Sequence, residues 1–173
     1  MFKRLGVLLV VTLVASVLTV GEASAESRRV HDRADNAPPY INITRATLTN
    51  AQNFLKMTVR ARDLSYRAGL DVTIDTGERG GRGYQLLSFG TVDGYFTRQY
   101  RFRRPNAPRS TNVACDGLGG IQQNGGRSRF LASVPQRCFG RDAGSVRLTV
   151  RLQKAESARS DTLRPAPVLL SRG

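Results

Sequence analysis

The chain has 173 residues and carries 27 Lys and Arg against 13 Asp and Glu, a formal net charge of +14. That length suits one domain with a real core, and the charge excess favours anionic partners: nucleic acid, acidic lipid or an anionic cell-wall polymer. Two cysteines and a single histidine do not make a four-ligand zinc site.

The first 25 residues have a three-part layout. Lys3 and Arg4 form a basic start, Leu5 to Val20 is an almost unbroken apolar run, and Ala23-Ser24-Ala25 supplies small residues in an A-x-A arrangement. This predicts a signal peptide over 1–25, cleaved before Glu26, and an extracellular, secreted mature chain. A spanning helix would need about 20 apolar residues, and Gly21, Glu22 and Ser24 follow the run at once. No membrane span is therefore expected in the mature form. The mature chain remains basic. Lys3, Lys56 and Lys154 are the only lysines; the other basic residues are arginines spread along the chain, a bias that a GC-rich genome would also produce.

Residues 26–39 are polar, end at Pro38-Pro39, and read as a flexible N-terminal arm. From Tyr40 onward, over 40–173, the pattern changes to short runs of period two. Ile41 and Ile43 share one face but Ala46 and Leu48 share the other, and this phase switch near Thr44-Arg45 predicts a β-bulge. Ala51-Gln52-Asn53 is a hairpin-length loop. In Phe54 to Arg62, Leu55, Met57, Val59 and Ala61 alternate with Lys56, Thr58, Arg60 and Arg62, which predicts a half-buried strand. Asp63 to Ala68 is a short helix candidate. Leu70, Val72 and Ile74 repeat the strand pattern, and the glycine-rich stretch 77–83 follows. That stretch lacks a Gly-Lys-Ser/Thr ending, and the segment after it reads as a strand, so it is expected to be a hairpin loop rather than a phosphate cradle. Tyr84 to Phe89 and Tyr95 to Phe102 read as strands joined by Thr91-Val92-Asp93-Gly94.

Tyr95 to Arg104 interleaves aromatics with arginines. Tyr95, Arg98, Tyr100, Arg101 and Arg103 form the candidate binding surface, because aromatic faces stack bases or sugar rings and Arg adds charge. The plainer reading is a strand with aromatics in the core and Arg in water. Cys115 and Cys138 form the one possible intramolecular disulfide, as an oxidising compartment would favour. Phe130, Ala132 and Val134 alternate, a turn is expected over Pro135 to Phe139, and Val146 to Leu152 alternates strongly. Residues 154–167 read as a loop leading to a last short strand at Val168 to Leu170.

His31 sits in the expected arm and the cysteines are expected to be oxidised, so a histidine-assisted nucleophile has no support. Asp71 and Asp75 share the polar face of one strand about 13 Å apart, at ~3.3 Å per residue, too far for a glycosidase pair. A pair drawn from different strands stays open. Asp32, Asp35, Asp71 and Asp75 could contribute to calcium binding, but no D-x-D-x-D-G loop occurs. No metal site and no cofactor is expected. Asn42-Ile43-Thr44 matches a glycosylation triplet within an expected strand.

Taken together, Asp32-Arg33-Ala34-Asp35, Ile41-Asn42-Ile43, Val72-Thr73-Ile74-Asp75-Thr76, Gly83-Tyr84, Val134-Pro135-Gln136-Arg137-Cys138 and the strand Val146 to Leu152 resemble a family of small secreted proteins of high-GC Gram-positive bacteria. That family is in turn distantly similar to carbohydrate-binding family 9 and DOMON-like β-sandwiches. The resemblance implies a jelly-roll-like sandwich with a non-catalytic, ligand-binding role. The expectations are an all-β, single antiparallel β-sandwich of about seven to nine strands and a secreted binding or envelope-associated module. Its partner would be an anionic cell-wall polymer or a glycan, with nucleic acid unsupported by a motif. The alternative is a secreted hydrolase using carboxylates from different strands.

Overall fold

A computed structural model describes residues 25–33, 35–64, 68–77, 83–89, 99–104, 111–118, 121–124, 127–139, 144–154 and 157–173. The predicted leader apart from Ala25, the turn 91–94 and most of the glycine-rich stretch lie outside these residues. Among the described residues no helix is long and apolar enough to cross a membrane.

Twelve strands are present among the described residues: β1 (Glu26–His31), β2 (Ile43–Asn50), β3 (Phe54–Ala61), β4 (Ala68–Asp75), β5 (Tyr84–Phe89), β6 (Gln99–Arg104), β7 (Thr111–Asn112), β8 (Ile121–Asn124), β9 (Arg129–Pro135), β10 (Ser145–Lys154), β11 (Ser160–Thr162) and β12 (Val168–Ser171). They form two antiparallel sheets. The smaller has the order β1-β2-β3-β9-β8; the larger runs β11-β10-β4-β5-β6-β7, with β12 also on β10. The chain changes sheet after β3, β7 and β9, so β3 and β9 pair in one layer while β4 and β10 pair in the other.

The chain is the expected antiparallel β-sandwich, and the alternating runs explain why. In β3 the residues Leu55, Met57, Val59 and Ala61 are buried; in β10 they are Val146, Leu148, Val150 and Leu152. Each set faces the opposite sheet, as period two requires. The extra strands are short or polar. One corrects the sequence reading directly: Glu26–His31, expected within a flexible arm, pairs along β2 from Glu26↔Asn50 to His31↔Arg45. Only Val30 of this strand packs on the core, so backbone pairing rather than apolar burial sets it in place. Likewise β11 lies inside the expected loop 154–167. The helix expected over Asp63 to Ala68 is replaced at its end by the start of β4, whereas Gln136–Phe139 forms a single 3-10 turn.

The phase switch in β2 is a real irregularity, with the β2–β3 register shifting between Ile43 and Arg45. One extra residue lets Ile43, Ala46 and Leu48 all be buried, and it turns Arg45 outward.

At the β5–β6 end, Tyr84 stacks on Phe102 at 5.1 Å, and Phe139 meets both rings edge-on at 5.3 and 5.8 Å. Phe102 is therefore core, as the plainer reading of its strand expected. The Tyr84 hydroxyl accepts a hydrogen bond from Arg104 Nη2 at 2.6 Å, which satisfies the one polar atom of that buried ring. Cys115 and Cys138 form a disulfide with a Cα–Cα distance of 5.7 Å. It joins the segment after β7 of the larger sheet to the turn after β9 of the smaller one, so the bond closes across a sheet-to-sheet crossover.

Candidate anion-binding surface

The outer face of the smaller sheet carries charge of one sign. Its cations come from the outward positions of alternating strands: Arg29 on β1, Arg45 on β2, Lys56 and Arg60 on β3, and Arg129 on β9. The registers then align some of them. His31 lies opposite Arg45, Arg45 opposite Arg60, and Arg60 opposite Arg129. Directly paired residues of an antiparallel ladder point to the same face, and neighbouring strands are about 4.8 Å apart. Four consecutive strands thus place a histidine and three arginines in one row perpendicular to the chain direction. The β2 bulge is essential to it, since an unbroken alternation from buried Ile43 would turn Arg45 inward.

No described carboxylate neutralises this row. Glu26, the one acidic residue of the four strands, pairs with inward Asn50, and its carboxylate accepts from the Ser171 amide of the other sheet. The one ion pair among the described residues is Arg28 with Glu26, at 2.8 Å. Like charges set opposite one another on a sheet are destabilising, and the Nε of half-buried Arg129 is buried with no hydrogen-bond partner. A concavity of about 500 Å³ opens along the row, lined by its members His31, Arg45 and Arg60 and by Thr44, Arg127 and Ser128 among others. Ser128 holds the turn before β9 with φ at +44°, an uncommon conformation for a residue with a Cβ. Its carbonyl accepts from the Ala61 amide at 3.0 Å, so β3 fixes the turn that presents Arg127 and Arg129. Guanidinium forks held this way suit anionic oxygens.

The sequence-predicted surface lies on the other sheet. Arg101 is exposed on β6; Arg103 Nε donates to Gln85 Oε1 at 2.9 Å, and Gln85 Nε2 donates to Asp71 Oδ1 at 2.8 Å. Tyr100 lies on β6 opposite Ser88, while Tyr95 and Arg98 lie outside the described residues. This outer face mixes signs, because Arg151 pairs with Asp71 and Arg147 with Asp75. Asp71 and Asp75 are thus set among arginines and do not converge.

A second constellation gathers carboxylates from separate segments. The carboxylates of Asp32, Asp35 and Asp161 lie within 4.8 Å of one another. Of the four aspartates weighed for calcium from the sequence, Asp32 and Asp35 meet Asp161 of β11, not Asp71 or Asp75. Asp161 Oδ2 accepts from the Ile43 amide at 2.6 Å, tying β11 to the start of β2. Asp32 Oδ1 accepts from the Arg164 amide at 2.6 Å, and Asp35 Oδ1 accepts from the Ala37 amide at 2.9 Å. Burial pushes the Asp161 carboxyl up to about 6, against the pull of the Ile43 amide, and the charges of Asp35 and Asp32 add to the rise. Burial also raises Asp32, against the Arg164 amide.

The sign of the consequence is fixed by linkage. A carboxyl that titrates higher when folded contributes stability that is complete below its unfolded value of 3.8 and lost as pH rises through about 6. The domain is therefore expected to melt at a lower temperature at pH 7 than this group alone would give at pH 5. Asp161→Asn keeps an acceptor for the Ile43 amide and removes a charge. It should raise the pH 7 midpoint by roughly 5 °C, or about 1.5 kcal/mol, and flatten the pH 5–7 trend in thermal melts. A midpoint unchanged at pH 7 would show that the charges are already relieved by solvent.

No family model, no curated protein and no solved structure matches the chain.

Proposed function

We propose that this protein is a secreted, non-catalytic binding module that holds an anionic polymer or glycan of the cell envelope on the outer face of its smaller sheet. The observation that carries the reading is the one-signed row His31, Arg45, Arg60 and Arg129. Secretion is supported by the leader pattern of residues 1–25 and by the Cys115–Cys138 disulfide, a bond favoured in non-reducing compartments. A net charge of +14 would give some retention on any anionic matrix, so the test must compare faces. Arg45→Ala with Arg60→Ala and Arg147→Ala with Arg151→Ala remove the same charge from opposite sheets. Retention on polyanion resin is expected to need about half the salt to elute after the first pair of changes and to stay close to that of the parent after the second. Salt weakens exposed charge contacts generally, so equal elution of the two double variants would sink the reading.

The hydrolase alternative would draw on Asp35 and Asp161, whose carboxylates lie close together; of the two, Asp35 lines a concavity of about 580 Å³ with Asn36, Arg159 and Ser160 among others. Against it, Asp161 is only 4% exposed, which leaves its carboxylate little room to meet a substrate. Turnover of a cell-wall or glycoside substrate abolished by Asp35→Asn would revive it.

A further inference from the structure

Resting on the binding reading above, we infer that the ligand is a linear phosphate polymer lying across the strands along the Arg45, Arg60 and Arg129 row, and not a single anion seated in the concavity. The row crosses three inter-strand gaps from β1 to β9, about 14 Å at ~4.8 Å each. The neighbouring outward rows are poorer in charge. One runs from Arg29 through Thr47 and Thr58, the next from Ser27 through Thr49 to Lys56. Cationic groups thus extend along one line perpendicular to the strands instead of forming a compact cluster. A point anion would bridge two adjacent strands and leave the remaining guanidinium uncompensated. A chain with a charge at every unit neutralises all three.

Phosphate fits this spacing better than carboxylate. The two unesterified oxygens of a phosphoryl group diverge, so one group can accept from guanidiniums on two neighbouring strands. A single fork can match either anion, but a carboxylate's two oxygens lie in one plane and span neighbouring guanidiniums less well. Ser128, beside the row in the concavity, adds a hydroxyl donor to the same oxygens, while the Thr44 hydroxyl is already donated to the Arg60 carbonyl.

The experiment is a competition titration of the purified protein with orthophosphate, tripolyphosphate, long-chain polyphosphate and polygalacturonate at several salt concentrations. Long-chain polyphosphate is expected to bind at least about tenfold tighter than orthophosphate. Its log K should fall with log salt at a slope of about −2, three contacts at roughly 0.7 each for a flexible polyanion. Arg60→Ala should reduce that slope by about 0.7, as should Arg45→Ala, with melting temperatures no lower than the parent's because each change relieves like-charge crowding. Binding with a slope below about 1 and no gain with chain length would overturn the linear-polymer inference while leaving an anion site intact. Equal affinity for polygalacturonate would overturn the phosphate assignment. Equal loss from Arg147→Ala, on the opposite sheet, would overturn the binding reading itself.

Discussion

Phe139→Ala is expected to lower the unfolding free energy by about 4 kcal/mol and the melting temperature by roughly 12 °C. Phe139 is fully buried and stands edge-on to both Tyr84 and Phe102, so its removal leaves two rings facing a void. The site cannot easily collapse. Tyr84 is held on one side by the β4–β5 ladder and at its hydroxyl by Arg104, and Phe102 sits in the β5–β6 ladder. Edge-to-face pairs add to the loss beyond buried area. Urea unfolding followed by tyrosine fluorescence measures the effect. A midpoint shift worth less than about 1 kcal/mol would mean that the turn carrying Phe139 closes over the gap.

Removing the disulfide should cost nearly as much. Cys115→Ala with Cys138→Ala opens a loop whose ends are 23 residues apart, which in the chain-entropy model amounts to about 3 kcal/mol. The location adds a local consequence. The bond fastens the stretch leaving β7, a strand of two residues with little pairing of its own. Hydrogen exchange at residues 111–118 should therefore accelerate more than exchange in β3 or β10. Thermal melts with and without a thiol reductant provide the check: the reduced parent should match the double variant, and a parent insensitive to full reduction would contradict the assignment. The two losses should not add, since Phe139 follows Cys138 directly and the turn is shared.

The sequence disclosed strands wherever one face was apolar. Residues 54–61, 70–74 and 146–152 alternate cleanly because each buries one face against the opposite sheet, and the β2 bulge was visible because it shifts that alternation by one residue. β1 escaped because Glu26-Ser27-Arg28-Arg29-Val30-His31 buries little beyond Val30 and gains its place mainly from ladder hydrogen bonds and the Glu26 contact with the Ser171 amide. β11 escaped for a related reason: Ser160-Asp161-Thr162 is polar throughout, and Asp161 is buried by accepting a backbone amide, not by being apolar. The cationic row was the least legible feature. Its members lie at 31, 45, 60 and 129, and what unites them is register, including a β3–β9 pairing across roughly seventy residues of chain. The aspartates follow the same rule: spacing within β4 suggested Asp71 and Asp75, whereas a contact between 32, 35 and 161 is a property of the folded layers.

β10 has an unusual pair of neighbours. On one side it runs along β4; on the other, Arg151 to Gln153 are met by β11 and Ser145 to Leu148 by β12. Ten residues, in which buried valines and leucines alternate with polar side chains, would otherwise present a long, straight row of unpaired amides and carbonyls, the template on which strands of other molecules add. Two short strands in relay cover most of it, and they leave Leu169 as the one exposed large hydrophobic among the described residues. On the proposed reading, many copies would crowd side by side along one polymer, and that covered edge would separate an orderly coat from an aggregate.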